Sequence, residues 1–218
     1  MGSAAANLAS VMARIARACE SVGRDPSSLT LVAVSKTRTA EEIKAFYDLG
    51  LRDFGESRLQ EAEPKLEALP HDVRWHFIGK LQSNKARRVA ELFQVVHTLE
   101  SLGQLKEISK GSKTVDGLIE VNIAEEEQKS GVLVKTLDDY ARAVLQCRTV
   151  RFRGLMTIGP AGSDSQATRN VFRKLSELNR RLGGEWLSMG MSEDFDVAIQ
   201  EGSTHIRVGA ALFGERPR

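Results

Sequence analysis

Hydrophobic and polar positions alternate along this chain in two rhythms. Leu8, Val11, Met12, Ile15, Cys19 and Val22 recur at spacings of three and four, which predicts an amphipathic opening helix ended by Gly23 and Pro26. Short apolar runs then take turns with helical periodicity. Residues 29–35, 52–55, 73–78, 94–97, 117–123, 152–158, 186–189 and 205–208 read as strands, the clearest being GLIEVNI at 117–123. Between them, Thr39-Ala-Glu-Glu42 carries a capping-box pattern for a helix that turns Ile43, Phe46 and Tyr47 inward. Further helices are predicted over 84–92, over 102–110, through Leu137, Tyr140, Ala141, Val144 and Leu145, through Val171, Leu175, Leu178 and Leu182, and over 193–200. Strand–helix alternation implies a parallel sheet with right-handed crossovers. Eight such units in 218 residues favour an α/β fold of the (β/α)8 TIM-barrel type with an extra N-terminal helix. An open doubly wound sheet stays available, because periodicity does not report closure. No linker, low-complexity tract or internal repeat divides the chain, so residues 1–218 are expected to form one domain.

Charge narrows the function classes. The 31 basic and 29 acidic residues leave a formal charge of +2, without the basic field that nucleic-acid binding calls for. The basic run Lys80, Lys85, Arg87 and Arg88 has no aromatic residue within it and reads as a solvated helix face. Cys19 and Cys147 make no CxxC or zinc spacing and no disulfide framework, which fits a reducing cytoplasm. The stretch Met1 to Ala6 lacks a basic start and an apolar run, predicting no secretory leader, and no run approaches the roughly 18 apolar residues of a membrane span.

In either architecture ligands gather at the carboxyl ends of the strands. Lys36 follows the first strand directly. Such a lysine is either a solvated strand-end residue or a desolvated amine able to form a Schiff base with a carbonyl ligand. The last strand runs into Gly209 and Ala210, small residues that let backbone N–H groups approach an anion, at a place where barrels often bind phosphate. Ser192 precedes a predicted helix, as an N-cap hydroxyl or as part of the same anion site. Ser83 or Asn84 after the third strand reads as a helix cap or as a ligand-facing loop. His71, His76, His97 and His205 fall into no metal-ligand spacing, and His76 and His205 read as hydrogen-bonded barrel-wall residues. There is no GxGxxG, no GxxxxGK[ST] and no HExxH.

Six ordered motifs carry a resemblance across nearly the whole chain. They are LVAVSKT ending at Thr37, FGESRLQE ending at Glu61, WHFIGKLQSNK ending at Lys85, GLMTIGP ending at Pro160, SMGMSEDF ending at Phe195 and GSTHIRVGAALFGER ending at Arg216. The sequence resembles the pyridoxal phosphate homeostasis protein family, which is related to the barrel domain of alanine racemase. The resemblance implies a fold-type III barrel holding pyridoxal 5'-phosphate as a Schiff base at Lys36. It places Arg207 against the pyridine nitrogen and Ser192, Gly209 and Ala210 at the phosphate. Met156 and Met189 become pocket-wall residues, although methionines at strand ends are as often plain core. Two positions depart from the family pattern. Ser57 stands where the motif commonly reads Asn, so a polar contact there is shortened, rearranged or water-bridged, and Lys80 occupies a variable position and is given no role.

An arginine at the ring nitrogen keeps that nitrogen unprotonated and makes the ring a weak electron sink. The resemblance therefore implies a carrier or buffer of the cofactor rather than a strong catalyst. Apo pyridoxal-phosphate enzymes are the expected recipients and a monomer the expected state. The alternative is an amino-acid racemase, which needs acid–base groups on both faces of the substrate. Lys36 supplies one face, and Tyr47 and Tyr140, the only tyrosines, both lie on predicted outer helices. A cofactor-free Schiff-base aldolase would share the lysine and the phosphate loops.

Overall fold

The computed structural model describes residues 3–126, 128–160 and 164–215; Met1 and Arg216, which belong to stretches read above, lie outside them. Strands β1 (Thr30–Val34), β2 (Asp53–Glu56), β3 (Arg74–Phe77), β4 (Val95–Leu99) and β5 (Val115–Asn122) pair in sequence order, all parallel. A two-residue strand that periodicity did not reveal, β6 (Val132–Leu133), is added at the carboxyl end of β5. The sheet continues from β5 through β7 (Val150–Met156), β8 (Trp186–Ser188) and β9 (His205–Val208). Thr30 to Ala33 of β1 then pair with His205 to Val208 of β9, which closes an eight-stranded barrel and removes the open-sheet alternative.

Nine α-helices stand among the described residues. They are α1 (Ala4–Glu20), α2 (Ala40–Asp48), α3 (Leu59–Ala68), α4 (Ser83–Leu92), α5 (Leu102–Ile108), α6 (Leu137–Gln146), α7 (Ser165–Arg181), α8 (Phe195–Gln200) and α9 (Ala210–Phe213). The capping box of α2 forms as its pattern predicts, with Thr39 N–H donating to Glu42 at 2.8 Å and Glu42 N–H donating to the Thr39 hydroxyl at 3.2 Å. Gln82 stands at the N-cap of α4 without a side-chain bond, so neither Ser83 nor Asn84 caps that helix. Helix α3 was not legible from periodicity. Pro64 sits inside it and removes one helical donor, and its buried face includes a lysine, Lys65.

Two separate apolar sets follow from the strand alternation. The large one lies between the sheet and the helices and includes Leu31, Ala33, Phe54, Trp75, Phe77, Ile119, Leu155, Ile206 and Val208. The small one, Val95, Leu118 and Met156 with Trp186, fills part of the lumen. The rest of the lumen is polar. His97 on β4 bonds Ser188 on β8, a contact between distant strands that is made only across the barrel interior. At the amino-terminal end the Arg74 and Arg153 guanidinium groups stand 5.0 and 4.9 Å from the Trp186 ring, while Arg74, Arg151 and Arg153 pair with Asp116. That charged plug closes the barrel's lower end, leaving the carboxyl end as the open one.

Candidate functional site at the barrel mouth

Seven of the eight residues singled out in the sequence meet at that open end. Lys36, Ser57, Met156, Ser192, Arg207, Gly209 and Ala210 line one cleft of about 530 Å³, together with Val34, Ile78, Lys129, Ile158 and Asp194. The eighth, Met189, does not line it. Met189 stands one residue past β8, and its side chain joins Leu187 in the core between sheet and helices, fully buried, so the expectation of a pocket wall is corrected for that residue. Met156 points the other way, into the lumen.

Lys36 lies just past β1, half-buried, where the strand delivers it to the cleft. The segment that carries it is fixed from below. Ser35 is fully buried, its hydroxyl donates to Glu56 at 2.7 Å, and its carbonyl accepts from Lys65 of α3 at 3.0 Å. Lys65 also pairs with Glu56 at 2.7 Å. Burial raises the Glu56 carboxyl above its usual value, although the bonds from Lys65 and Ser35 oppose the rise. Thr37 follows with φ of 66°, a strained conformation for a β-branched residue.

Arg207 rises from β9 and is 5 % exposed. Its guanidinium donates to the Ser188 hydroxyl at 2.6 Å and to the Thr157 carbonyl at 3.0 Å. Burial pulls its pKa down to about 10, against the pull of Glu120 and Asp194, so it is charged at neutral pH. Glu120 of β5, 5 % exposed, belongs to an adjoining cavity of about 350 Å³ that shares Ile78, Lys129 and Ile158 with the cleft. Burial and the neighbouring Glu100 charge raise its pKa to about 7.

Ser192 does not cap a helix as its position suggested, because α8 starts only at Phe195 with Asp194 at its N-cap. Its hydroxyl instead accepts from Ala211 N–H at 3.4 Å, bringing it beside the first turn of α9. Gly190 makes the turn before it: φ is 94°, and a Cβ there would come within 2.5 Å of Ala198 and 2.9 Å of the Phe195 backbone. Arg14 of α1 holds the loop from outside, donating to the Ser192 carbonyl at 3.1 Å, pairing with Asp196 and lying 4.1 Å over the Phe195 ring. Nothing in the spacing of α1 pointed to that contact. Gly209, on the other side, has room for a Cβ at 3.4 Å from Val34, so its lack of a side chain matters to the cleft more than to the fold.

The cleft joins an amine, a buried guanidinium and a small-residue turn faced by a hydroxyl, on a closed (β/α)8 barrel. The barrel is of the class described by the family model for the alanine racemase N-terminal domain, which matches residues 6–217. The pyridoxal phosphate homeostasis protein of Pseudomonas aeruginosa is 43% identical over 225 residues, covering 99% of this chain and 97% of that protein. The chain belongs to the alanine racemase N-terminal domain family and, within it, to the pyridoxal phosphate homeostasis proteins. Among solved structures, a protein of unknown function from Bifidobacterium adolescentis matches with a TM-score of 0.89 at 34% identity, over 96% of this chain and 94% of that one. PipY of Synechococcus elongatus, solved with PLP bound, matches with a TM-score of 0.80 at 34% identity, over 92% of this chain and all of that one. Alanine racemase of Streptomyces coelicolor, 19% identical with a TM-score of 0.71 over 59% of its own chain, shares the fold alone.

Proposed function

We propose that this protein binds pyridoxal 5'-phosphate at the barrel mouth and carries or buffers it, with Lys36 as the attachment point. The observation that carries the reading is the convergence of Lys36, Arg207 and Ser192 on one cleft. The residues fit the group: Lys36 for its aldehyde, Arg207 for its ring nitrogen, and Ser192 with Gly209 and Ala210 for its phosphate. Ser57, Met156 and Ile158 would wall the ring, Ser57 with a shorter reach than the Asn of the family pattern. Bound there, the cofactor supplies an aldehyde to the lysine amine. The protein's own part is to hold it. Arg207 donates and does not accept, so it leaves the ring nitrogen without a proton. A relative solved with PLP bound and relatives named as homeostasis proteins support this reading.

The racemase alternative needs a second acid–base group facing the first. Tyr47 on α2 bonds Asp72 at 2.7 Å, and Tyr140 on α6 donates to the Ser101 carbonyl at 3.1 Å; neither lines the cleft. In the proposed role the barrel acts as one monomeric domain in the cytoplasm and passes its cofactor to apo enzymes. No helix among the described residues is long and apolar enough to cross a membrane, and no cluster of His, Cys, Asp and Glu suited to a metal ion stands among them.

Spectral titration of the cofactor-free protein, followed by a racemisation assay, tests the proposal. Saturable growth of a visible absorbance band and negligible conversion of L-alanine are expected. No band would refute the binding, and rapid conversion that Lys36→Ala abolishes would replace the carrier by the racemase.

A further inference from the structure

Arg207 sits at one end of an unbroken hydrogen-bonded chain that runs the length of the barrel. Its guanidinium meets the Ser188 hydroxyl at 2.6 Å, Ser188 meets His97 Nδ1 at 2.8 Å, and His97 Nε2 meets His76 Nδ1 at 2.9 Å. His76 Nε2 meets Asp53 Oδ1 at 2.9 Å, at the plugged lower end. The members lie on β9, β8, β4, β3 and β2, and Ser188, His97 and His76 are all fully buried. The cleft is therefore linked to the opposite face of the molecule by five side chains in series.

The direction of every bond in that series follows from its two ends. A guanidinium has donors only, so Ser188 accepts from Arg207. Ser188 can still accept a second bond, so the Asp53 end, a carboxylate that only accepts, decides the rest. With His76 donating to that carboxylate, neutral His76 accepts at Nδ1 from His97, and neutral His97 accepts at Nδ1 from the Ser188 hydroxyl. Both histidines accordingly carry their protons on Nε2. Flipping His76 would turn a bare ring nitrogen toward the Asp53 carboxylate, and flipping His97 alone would set two bare ring nitrogens against each other. Burial also keeps both imidazoles neutral, lowering His76 and driving His97 well below its ordinary value. Burial works against the Asp53 charge as well, but the His76 bond and the Arg74 charge outweigh it and hold that carboxyl below its usual value.

We propose that Ser188, His97, His76 and Asp53 form a one-way hydrogen-bond chain that positions Arg207, so that the guanidinium facing the cofactor ring is oriented from the far end of the barrel. The chain does not deliver a proton to the cleft, because its last member cannot accept one. It anchors one guanidinium nitrogen, while the Thr157 carbonyl anchors another. The remaining donors of Arg207 are thereby aimed into the cleft at fixed angles. His205 stands beside the chain, its ring 6.2 Å from both His76 and His97, but bonds Thr204 instead and takes no part.

The inference rests on the proposed cofactor site for its consequence, but not for its geometry, and the two are tested apart. Nitrogen-15 NMR of the cofactor-free protein, labelled at histidine, reads the tautomers directly. Both His76 and His97 are expected as Nε2–H tautomers, neutral at pH 7. Asp53→Asn keeps an acceptor oxygen and should leave both tautomers unchanged. Asp53→Leu removes the acceptor and should flip His76, and with it His97, to Nδ1–H. An Nδ1–H tautomer at either residue in the unaltered protein, or no change in Asp53→Leu, would overturn the chain. Added pyridoxal 5'-phosphate supplies the second readout. Ser188→Ala should weaken its binding roughly tenfold or more, as loss of a bond to a charged group does, and Asp53→Leu should weaken it too, while Asp53→Asn does not. Equal affinity in all three would overturn the positioning role. Absence of binding by the unaltered protein would instead strike the cofactor reading and leave the tautomer result standing.

Discussion

At the scale of single residues, the strained backbone at Thr37 and the buried Ser35–Glu56–Lys65 cluster fix the direction in which Lys36 leaves β1. Lys36 itself contributes little packing. Lys36→Ala should therefore abolish the visible band on adding pyridoxal phosphate while the far-ultraviolet circular dichroism stays unchanged; a retained band would show attachment elsewhere. Ser192→Ala should lower cofactor affinity roughly 10- to 100-fold through loss of one bond to a charged group, read by spectral titration. Gly209 separates fold from site. A Cβ there meets only Val34 at ordinary contact distance, so Gly209→Ala and Gly209→Asp should both fold. The carboxylate should nonetheless expel the cofactor by repulsion, and undiminished binding in Gly209→Asp would place the phosphate elsewhere. Lys36, Ser192, Arg207, Gly209 and Ala210 were legible as lining of the barrel-mouth cleft because they belong to contiguous motifs at strand ends. Met189 misled for the same reason: adjacency to the motif put it near the site, but strand alternation turned it to the other face.

At the scale of elements, α1 is more than an appendage to the barrel. It packs Val11, Ile15, Ala18 and Cys19 inward, and through Arg14 it holds the loop that presents Ser192. Arg14→Ala should leave the barrel folded, since a partly exposed pair of this kind is worth about 1 kcal/mol or less, yet it should weaken cofactor binding several-fold by freeing that loop. Titration of the variant checks this, and unchanged affinity would show that the loop needs no outside support. The opening helix was legible from its apolar spacing, but its partner was not, because amphipathic periodicity gives a buried face and not what covers it. Helix α3 was hidden for a different reason. Its interior proline breaks the usual signal, and Lys65 is buried only because Glu56 and the Ser35 carbonyl receive its charge. Strand–helix alternation gave the eight strands well, whereas β6, two residues long, is too short to leave a period.

At the scale of the whole molecule, the barrel keeps three neutral histidines in its lumen, and this shapes its response to acid. Burial lowers His205 to about 3 from an ordinary 6.5, and lowers His76 and His97 as well. Below pH 6.5 the unfolded chain takes up protons that the folded one refuses, so stability falls with pH until the folded-state pKa is reached. Each such histidine contributes up to about 1.4 kcal/mol per pH unit. Urea unfolding of His205→Phe should accordingly show a shallower loss of stability between pH 6 and 4 than the unaltered protein, and parallel curves would show that His205 is not buried neutral. The count of units favoured a closed barrel without fixing closure, and the polar lumen was not legible at all, because His97 and Ser188 stand on strands β4 and β8 and meet only once the sheet has closed. One lysine at the barrel mouth, Lys36, is proposed to hold the cofactor. Borohydride reduction of the protein loaded with pyridoxal phosphate, followed by peptide mapping, locates the attachment. A single reduced adduct on Lys36 is the predicted result; an adduct on Lys80, Lys85 or Lys129 with Lys36 unmodified would contradict it.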